Sequence, residues 1–375
     1  MKVLFLTNIP SPYRVDFFEL LSQRCELTVV YERFRASDRA ADWYNDNNSN
    51  SYEIHVLKGI DYSNDASIAP GVVNFLRKDM YDIIVVSGYS SITQMIAITF
   101  LRINHIQYIL NVDGGIVKSE SQLKYHIKKH LISNAGVYLS SGLECDEFLM
   151  YYGAEKERLR RYPFTSIKEK DILEKPIAIS KKNELKKAIG CHYSRMLLSV
   201  GQPIHRKGFD VLIKAANEIY DLGIGIYIVG GTPNEECQYL LEKLSIKNVV
   251  FIDFMKKEDL SNYYMAADVF VFPTREDIWG LVINEAMAYG LPIIATNKCN
   301  AALELVCEGK NGIIINSDDH VGMAKAIRKM FVEENLERMS WESLERVRDY
   351  SINKMVDRHI EIFGELLNRS LCGGE

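Results

Sequence analysis

Asp277 and Glu285 stand eight residues apart in the stretch DVFVFPTREDIWGLVINEAMAYGLP, residues 268–292. The run Val269 to Phe272, closed by Pro273, reads as a buried strand. Thr274 to Trp279 reads as a polar loop, and Gly280 as a tight entry into a helix from about Leu281 to Tyr289. Gly290-Leu291-Pro292 stops that helix, and Ile293 to Ala295 begins another strand. The result is a βαβ unit whose loop is a ligand edge. N–H groups of Gly280 and Leu281 at the positive helix end suit a phosphate. Carboxylates avoid phosphate and bind hydroxyls strongly. A phosphate between polyol groups is a sugar nucleotide. The competing reading makes Asp277 a helix cap and Glu285 a solvated helix residue.

A second strand-to-loop passage, Ser199-Val200-Gly201, leads through Gln202 to Arg206, Lys207 and Gly208. Two cations there could neutralise a diphosphate, which leaves only if its developing charge is stabilised. The segment is not a P-loop, and no G-x-G-x-x-G follows a strand, which counts against an NAD enzyme. No D-x-D triplet occurs, so a metal holding the diphosphate is not indicated, and cationic side chains would carry that charge. The segment 251–254 forms a third loop, whose backbone could pair with a base. Phe254 either stacks on that base or is a core residue.

The first half carries fewer signals. Asn8 to Arg14 follows the first strand, with Ser11 and Pro12 as N-cap and first-turn pair. Arg14 meets an anionic acceptor or the donor phosphate, or is an exposed helical arginine. Asp113, ahead of Gly114-Gly115, is a candidate general base or acceptor-orienting group, or else a turn aspartate. Lys118 to Asn134 puts Lys124, Lys128 and Lys129 beside Leu123 and Ile127. Such a helix rests on anionic lipid or is a solvated face. Arg158, Arg160 and Arg161 add to the first reading.

These residues need a frame, and 375 residues suffice for two domains with full cores. Strand-like runs alternate with helical patterns almost throughout: 3–7, 27–31, 54–57, 83–87, 108–111 and 137–140, then 197–201, 226–230, 249–252, 269–272, 293–295 and 313–315. That alternation predicts parallel α/β architecture. Residues 33–50 read as an exposed loop, and 165–195, rich in lysine and glutamate, as the domain boundary. A helix is expected to begin at Glu304. Closing helices from about Glu333 present Trp341, Met355, Ile360 and Phe363 as packing surface. A net charge of −5 argues against nucleic acid as the main partner. Seven scattered cysteines without a C-x-x-C pair suggest reduced thiols in a cytosolic protein. No stretch is long and apolar enough for a signal peptide or membrane span.

The segments SVGQPIHRK (199–207), DVFVFPTREDIWGLVINEAMAYGLP (268–292) and ELVCEGKNG (304–312) resemble the retaining glycosyltransferases of family 4. The resemblance covers essentially all of the second domain. It implies a GT-B fold, with two doubly wound Rossmann-like domains facing across a cleft. An acceptor domain would span 1–170 and a nucleotide-sugar domain 190–354, with a helix at about 355–375 packing back on the first. Lys207 would bind the donor diphosphate, Asp277 the transferred sugar and Glu285 the ribose. Amides at Gly280 and Leu281 would hold phosphates, and the loop at 252–254 the base.

Three departures stand out. Gln202 follows Gly201 where the family usually has arginine, so Arg206 is expected to supply that cation. Asp277 is shorter than the family's glutamate, and Glu276 beside it competes for the sugar. Asp113 stands where many members carry histidine. The implied activity is metal-independent, retaining transfer from a UDP- or GDP-linked sugar to a saccharide or polyprenyl-linked acceptor. The expected setting is surface-polysaccharide assembly in the cytoplasm, with peripheral membrane contact through 118–134. No cofactor is called for. An epimerase, a glycosidic phosphorylase or a catalytically silent sugar-nucleotide-binding subunit would share the fold.

Overall fold

The computed structural model describes residues 1–34, 51–62 and 67–372. From residue 35 onward, the loop expected at 33–50 lies outside them. The chain divides into two compact units, 1–166 with 351–375, and 167–350.

The first unit is built on β1 (Lys2–Thr7), β2 (Glu26–Tyr31), β3 (Glu53–Val56), β6 (Ile83–Ser87), β7 (Ile109–Val112), β8 (Val137–Ser140) and β9 (Leu159–Arg161), with a small pair β4 (Ile60–Asp61) and β5 (Ser67–Ile68) beside it. The main sheet runs β3-β2-β1-β6-β7-β8-β9 and is parallel throughout. Helices α1 (Pro12–Leu21), α2 (Ile92–Ile103), α3 (Gln122–Ile132) and α4 (Leu143–Tyr151) connect the strands. Central strands are covered on both faces, which is why Leu4, Phe5, Leu6, Val85 and Val86 form unbroken apolar runs with no exposure. Strand order reverses between β1 and β6, and a crevice forms at the carboxyl ends of strands flanking such a switch.

The second unit repeats the plan with β10 (Arg195–Val200), β11 (Ile224–Val229), β12 (Val249–Ile252), β13 (Val269–Phe272), β14 (Ile293–Thr296) and β15 (Gly312–Ile315), in the parallel order β12-β11-β10-β13-β14-β15. Its helices are α5 (Ile179–Ala188), α6 (Phe209–Glu218), α7 (Glu235–Lys243), α8 (Lys257–Ala266), α9 (Leu281–Ala288), α10 (Asn300–Leu305), α11 (His320–Val332) and α12 (Leu336–Val347). Here the switch lies between β10 and β13. The loops leaving those strands are 201–208 and 273–280, the two that carry the candidate cations and acids.

The last helix, α13 (Ile352–Cys372), belongs to the first unit. Met355, His359 and Phe363 are wholly buried there. Phe5 and Phe363 rings lie 6.4 Å apart and Phe17 and His359 4.7 Å. Truncating Phe363 would cost about 3–5 kcal/mol.

Several elements differ from expectation. The stretch 165–195 contains α5, whose Lys186 ammonium meets Asp268 at 2.7 Å inside the second unit. That charged segment therefore reads as boundary by composition but is part of the second core's edge. Helix α10 starts at Asn300, which puts Glu304 in its last turn. Trp341 is 46% exposed, so it is not part of the buried packing surface. Strand β9 was not expected, because an edge strand of sequence Leu-Arg-Arg has no apolar run.

Candidate functional site

Loop 201–208 is brought against loop 273–280 by backbone and side-chain hydrogen bonds together. The Arg275 N–H donates to the Arg206 carbonyl at 2.8 Å, and the Thr274 hydroxyl donates to the same oxygen at 3.1 Å. Gly208 has φ +69°, and a Cβ there would sit 2.1 Å from the Pro273 carbonyl oxygen. Only glycine allows that approach. Arg275 staples the junction further, donating to His205 carbonyl and, through both terminal nitrogens, to Asp210 at 2.8 Å each. Arg275 and Lys214 hold the Asp210 carboxyl below its usual range despite its burial. This staple joins residues 65 positions apart and has no local signal, so sequence reasoning missed it.

With the loops fixed, the Lys207 ammonium lies 2.6 Å from Asp277 Oδ2, both side chains largely covered. Lys207 also sits 4.7 Å from the centroid of the Phe272 ring, a favourable place for a cation. Arg206 is more exposed, lies 3.5 Å from the same carboxylate oxygen, and donates to the Glu276 carbonyl at 2.7 Å. Glu276 thus contributes its backbone to the cation. Gln202 is exposed at the mouth of the same loop, and Gly201 donates its N–H to Val229 carbonyl at 2.8 Å.

Gly280 has φ +98°, and a Cβ there would meet Cys299 Sγ at 2.5 Å. The turn is fixed by N–H bonds from Asp277 to Lys298 carbonyl (2.8 Å) and from Ala301 to Trp279 carbonyl (2.8 Å). The N–H groups of Gly280 and Leu281 meet no acceptor among the described residues. They open at the positive end of α9, an anion-binding arrangement. Glu285 lies one turn further along, where the Tyr264 hydroxyl donates to its Oε2 at 2.9 Å. Tyr264 is buried and stacks on Tyr289 at 5.2 Å between centroids. Burial and the Glu285 charge push its phenol well above its ordinary value, so it remains a donor. Tyr264 was another residue the sequence did not single out. Phe254 is 58% exposed at the tip of the loop after β12, which excludes the core reading.

In the first unit Arg14 is no solvated cation. It is 3% exposed, and its Nη2 donates to both Asp113 oxygens at 2.6 and 2.5 Å. The Asn111 amide and Tyr162 hydroxyl donate to Asp113 Oδ1 at 2.9 and 2.7 Å. Asp113 is therefore a saturated acceptor, which disfavours it as a general base. Ser11 precedes α1 with extended backbone but makes no side-chain cap bond.

Within the 118–134 segment the helix is α3, Gln122–Ile132, shorter at both ends than expected. Leu123 is 71% and Ile127 44% exposed beside exposed Lys124 and Lys129. Lys128 is instead tied to Glu120 at 2.7 Å. Arg158, Arg160 and Arg161 pair with Glu155, Glu365 and Asp146, so they add little free charge. Among the described residues no helix is long and apolar enough to cross a membrane. His205, Asp210 and Glu236 cluster as a metal site might, but Asp210 already serves Arg275 and Lys214, two cations a metal ion would have to displace.

Two Rossmann-like units, each with its own parallel sheet, define the GT-B class of glycosyltransferase fold. Residues 181–351 match the family model of the glycosyl transferases group 1. An uncharacterized glycosyltransferase of Haemophilus influenzae is 28% identical over 288 residues, 73% of this chain and 74% of that one. The lipopolysaccharide glucosyltransferase WaaG of Escherichia coli is 28% identical over 159 residues, 42% of this chain and 41% of WaaG. The fold matches that of Anabaena HepE in complex with UDP, at a TM-score of 0.79 and 16% identity over 97% of this chain and 100% of that one.

Proposed function

We propose that this protein is a retaining, metal-independent glycosyltransferase that uses a nucleoside-diphosphate sugar, with UDP as the expected nucleotide. The observation that carries the reading is the Lys207–Asp277 pair at 2.6 Å beside the open N–H groups of Gly280 and Leu281. A diphosphate arriving there takes Lys207 and Arg206 as counter-ions and the two N–H groups as donors. Asp277 is then released to accept from sugar hydroxyls, and Glu285, oriented by Tyr264, accepts from the ribose. Phe254 is exposed where a base can stack. The bound UDP in HepE supports the choice of nucleotide.

As the bond from the anomeric carbon to the phosphate oxygen breaks, Lys207 and Arg206 stabilise the charge gathering on the diphosphate. The acceptor hydroxyl adds to the same face of the sugar, and its proton passes to the departing phosphate oxygen. No protein nucleophile is required, and the saturated Asp113 is not assigned the proton. The acceptor is a saccharide or a polyprenyl-linked saccharide of surface-polysaccharide assembly, a choice supported by the likeness to WaaG. Leu123, Ile127, Lys124 and Lys129 on α3 fit peripheral contact with an anionic cytoplasmic membrane face.

The test is transfer from UDP- and GDP-sugars to a panel of glycan acceptors, with the product's anomeric configuration read by NMR and a parallel reaction in EDTA. Retention with undiminished rate in EDTA is expected. An inverted product would refute the retaining step, and loss in EDTA the metal-independent one.

A further inference from the structure

One guanidinium gathers loops from three strands of the second unit. Arg275 follows β13, and its two terminal nitrogens donate to Asp210, in the first turn of α6 after β10, at 2.8 Å each. From its other edge Nε donates to Asp318, in the loop after β15, at 2.6 Å. The Arg275 N–H and Nη1 hold the carbonyls of Arg206 and His205, the two residues ahead of Lys207. Asp210 grips the end of the planar fork, and a plane held at one end can still swing about that contact. The bond from Nε to Asp318 stops the swing, and with it drift of the carbonyls that place Lys207 and Arg206.

The neighbours of Asp318 already perform the local tasks of its loop. Asp319 caps α11, its side chain accepting from the Gly322 N–H at 2.7 Å. Asn297 ties the loop to the one after β14, donating to Asn316 Oδ1 at 3.0 Å and accepting from the Ser317 N–H at 3.4 Å. Asp318 itself has φ +61°, a backbone that glycine adopts more readily. A carboxylate at that position, pointed at Arg275, is explained by what it does to Arg275.

We infer that Asp318, on the edge strand three places from β10, is a positioning residue for the donor diphosphate, fixing Lys207 and Arg206 through Arg275. Its kinetic consequence rests on the transferase reading above; its structural consequence does not. Asp318→Gly deletes the carboxylate and keeps the turn, whereas Asp318→Asn keeps an oxygen for the Nε–H. Hydrogen exchange of residues 203–208 is followed in the full chain without ligand. The kcat and KM for UDP-glucose are measured beside it, with a glycan acceptor that supports turnover. Asp318→Gly should speed exchange of 203–208 about three- to fivefold, as far as loss of one ion pair with an exposed partner reaches, with the urea midpoint unchanged. The kcat should fall by a similar factor and KM move by less than about twofold, because counter-charge is needed most as the bond to phosphate breaks. Asp318→Asn should restore both. Unchanged exchange or unchanged kcat in Asp318→Gly, no recovery in Asp318→Asn, or a urea midpoint that falls with them would each overturn the inference. If the unaltered protein turns over no acceptor, the transferase reading falls, and the exchange result alone decides whether Asp318 places the cations.

Discussion

Both units set a cation from the segment that follows one central strand, a first helical turn in one and a loop in the other, against an aspartate from a loop across the switch point. In the first, Arg14 meets Asp113; in the second, Lys207 meets Asp277. The surroundings differ. Asp113 accepts from Arg14, Asn111 and Tyr162, and Arg14 is sealed from solvent. Asp277 has Lys207 at hydrogen-bond distance and Arg206 further off, with free N–H groups beside it. One layout closes three donors around its carboxylate, and the other leaves open N–H groups at its side. Saturation of the carboxylate, more than the identity of the pair, separates the two.

The comparison can be broken by exchanging the expected losses. Arg14→Leu leaves Asp113, whose side chain is 29% exposed, to two neutral donors and should cost about 1–3 kcal/mol in urea unfolding. Lys207→Ala should lower transfer about 100- to 1,000-fold, as loss of a transition-state counter-charge does, and should cost less stability than Arg14→Leu because Arg206 stays 3.5 Å from Asp277. If Lys207→Ala destabilises the protein as much as Arg14→Leu, the two pairs are alike and the distinction fails.

A third test concerns His359, packed on Phe17 and Tyr162 beneath the Arg14 pair. Burial lowers its pKa to about 4 from 6.5. Between those values the unfolded chain binds more protons than the folded one, so stability is full above pH 6.5 and falls as pH drops toward 4. The loss should be about 3 kcal/mol, and His359→Leu should remove that share of the pH dependence in urea titrations at pH 7 and pH 4.5. The smallest effect is expected at Tyr264→Phe. It removes one bond to Glu285 and should weaken UDP binding about three- to tenfold by calorimetry; unchanged affinity would detach Glu285 from the nucleotide.

Strands that are apolar runs were legible, buried centrally or, like Val249–Ile252, half-buried at an edge, and Ile83–Ser87, Val137–Ser140, Val249–Ile252 and Val269–Phe272 begin and end where their residues say. The proximity of Lys207 to Asp277 was legible too, since both follow strands whose order in a doubly wound sheet sets them at one crevice. Arg14 was harder. Nothing near it in sequence names Asp113, and a guanidinium on a first helical turn looks the same whether solvated or sealed. Phe254 misled for a related reason: an aromatic residue closing a strand is usually core, and only the short loop after β12 turns it outward. Strand β9 and the Arg275–Asp210 staple rest on partners far along the chain, which composition does not carry.

The return of α13 to the first unit has a consequence for synthesis. The ribosome releases residues 167–350, a unit with its own sheet, before it makes the helix that covers Phe5 and Phe17. The portion of the chain made first is therefore completed last, and its aromatic floor stays uncovered while the later portion folds. A nascent chain of this design places its greatest demand on chaperones at the amino-terminal half, for as long as translation of the middle takes.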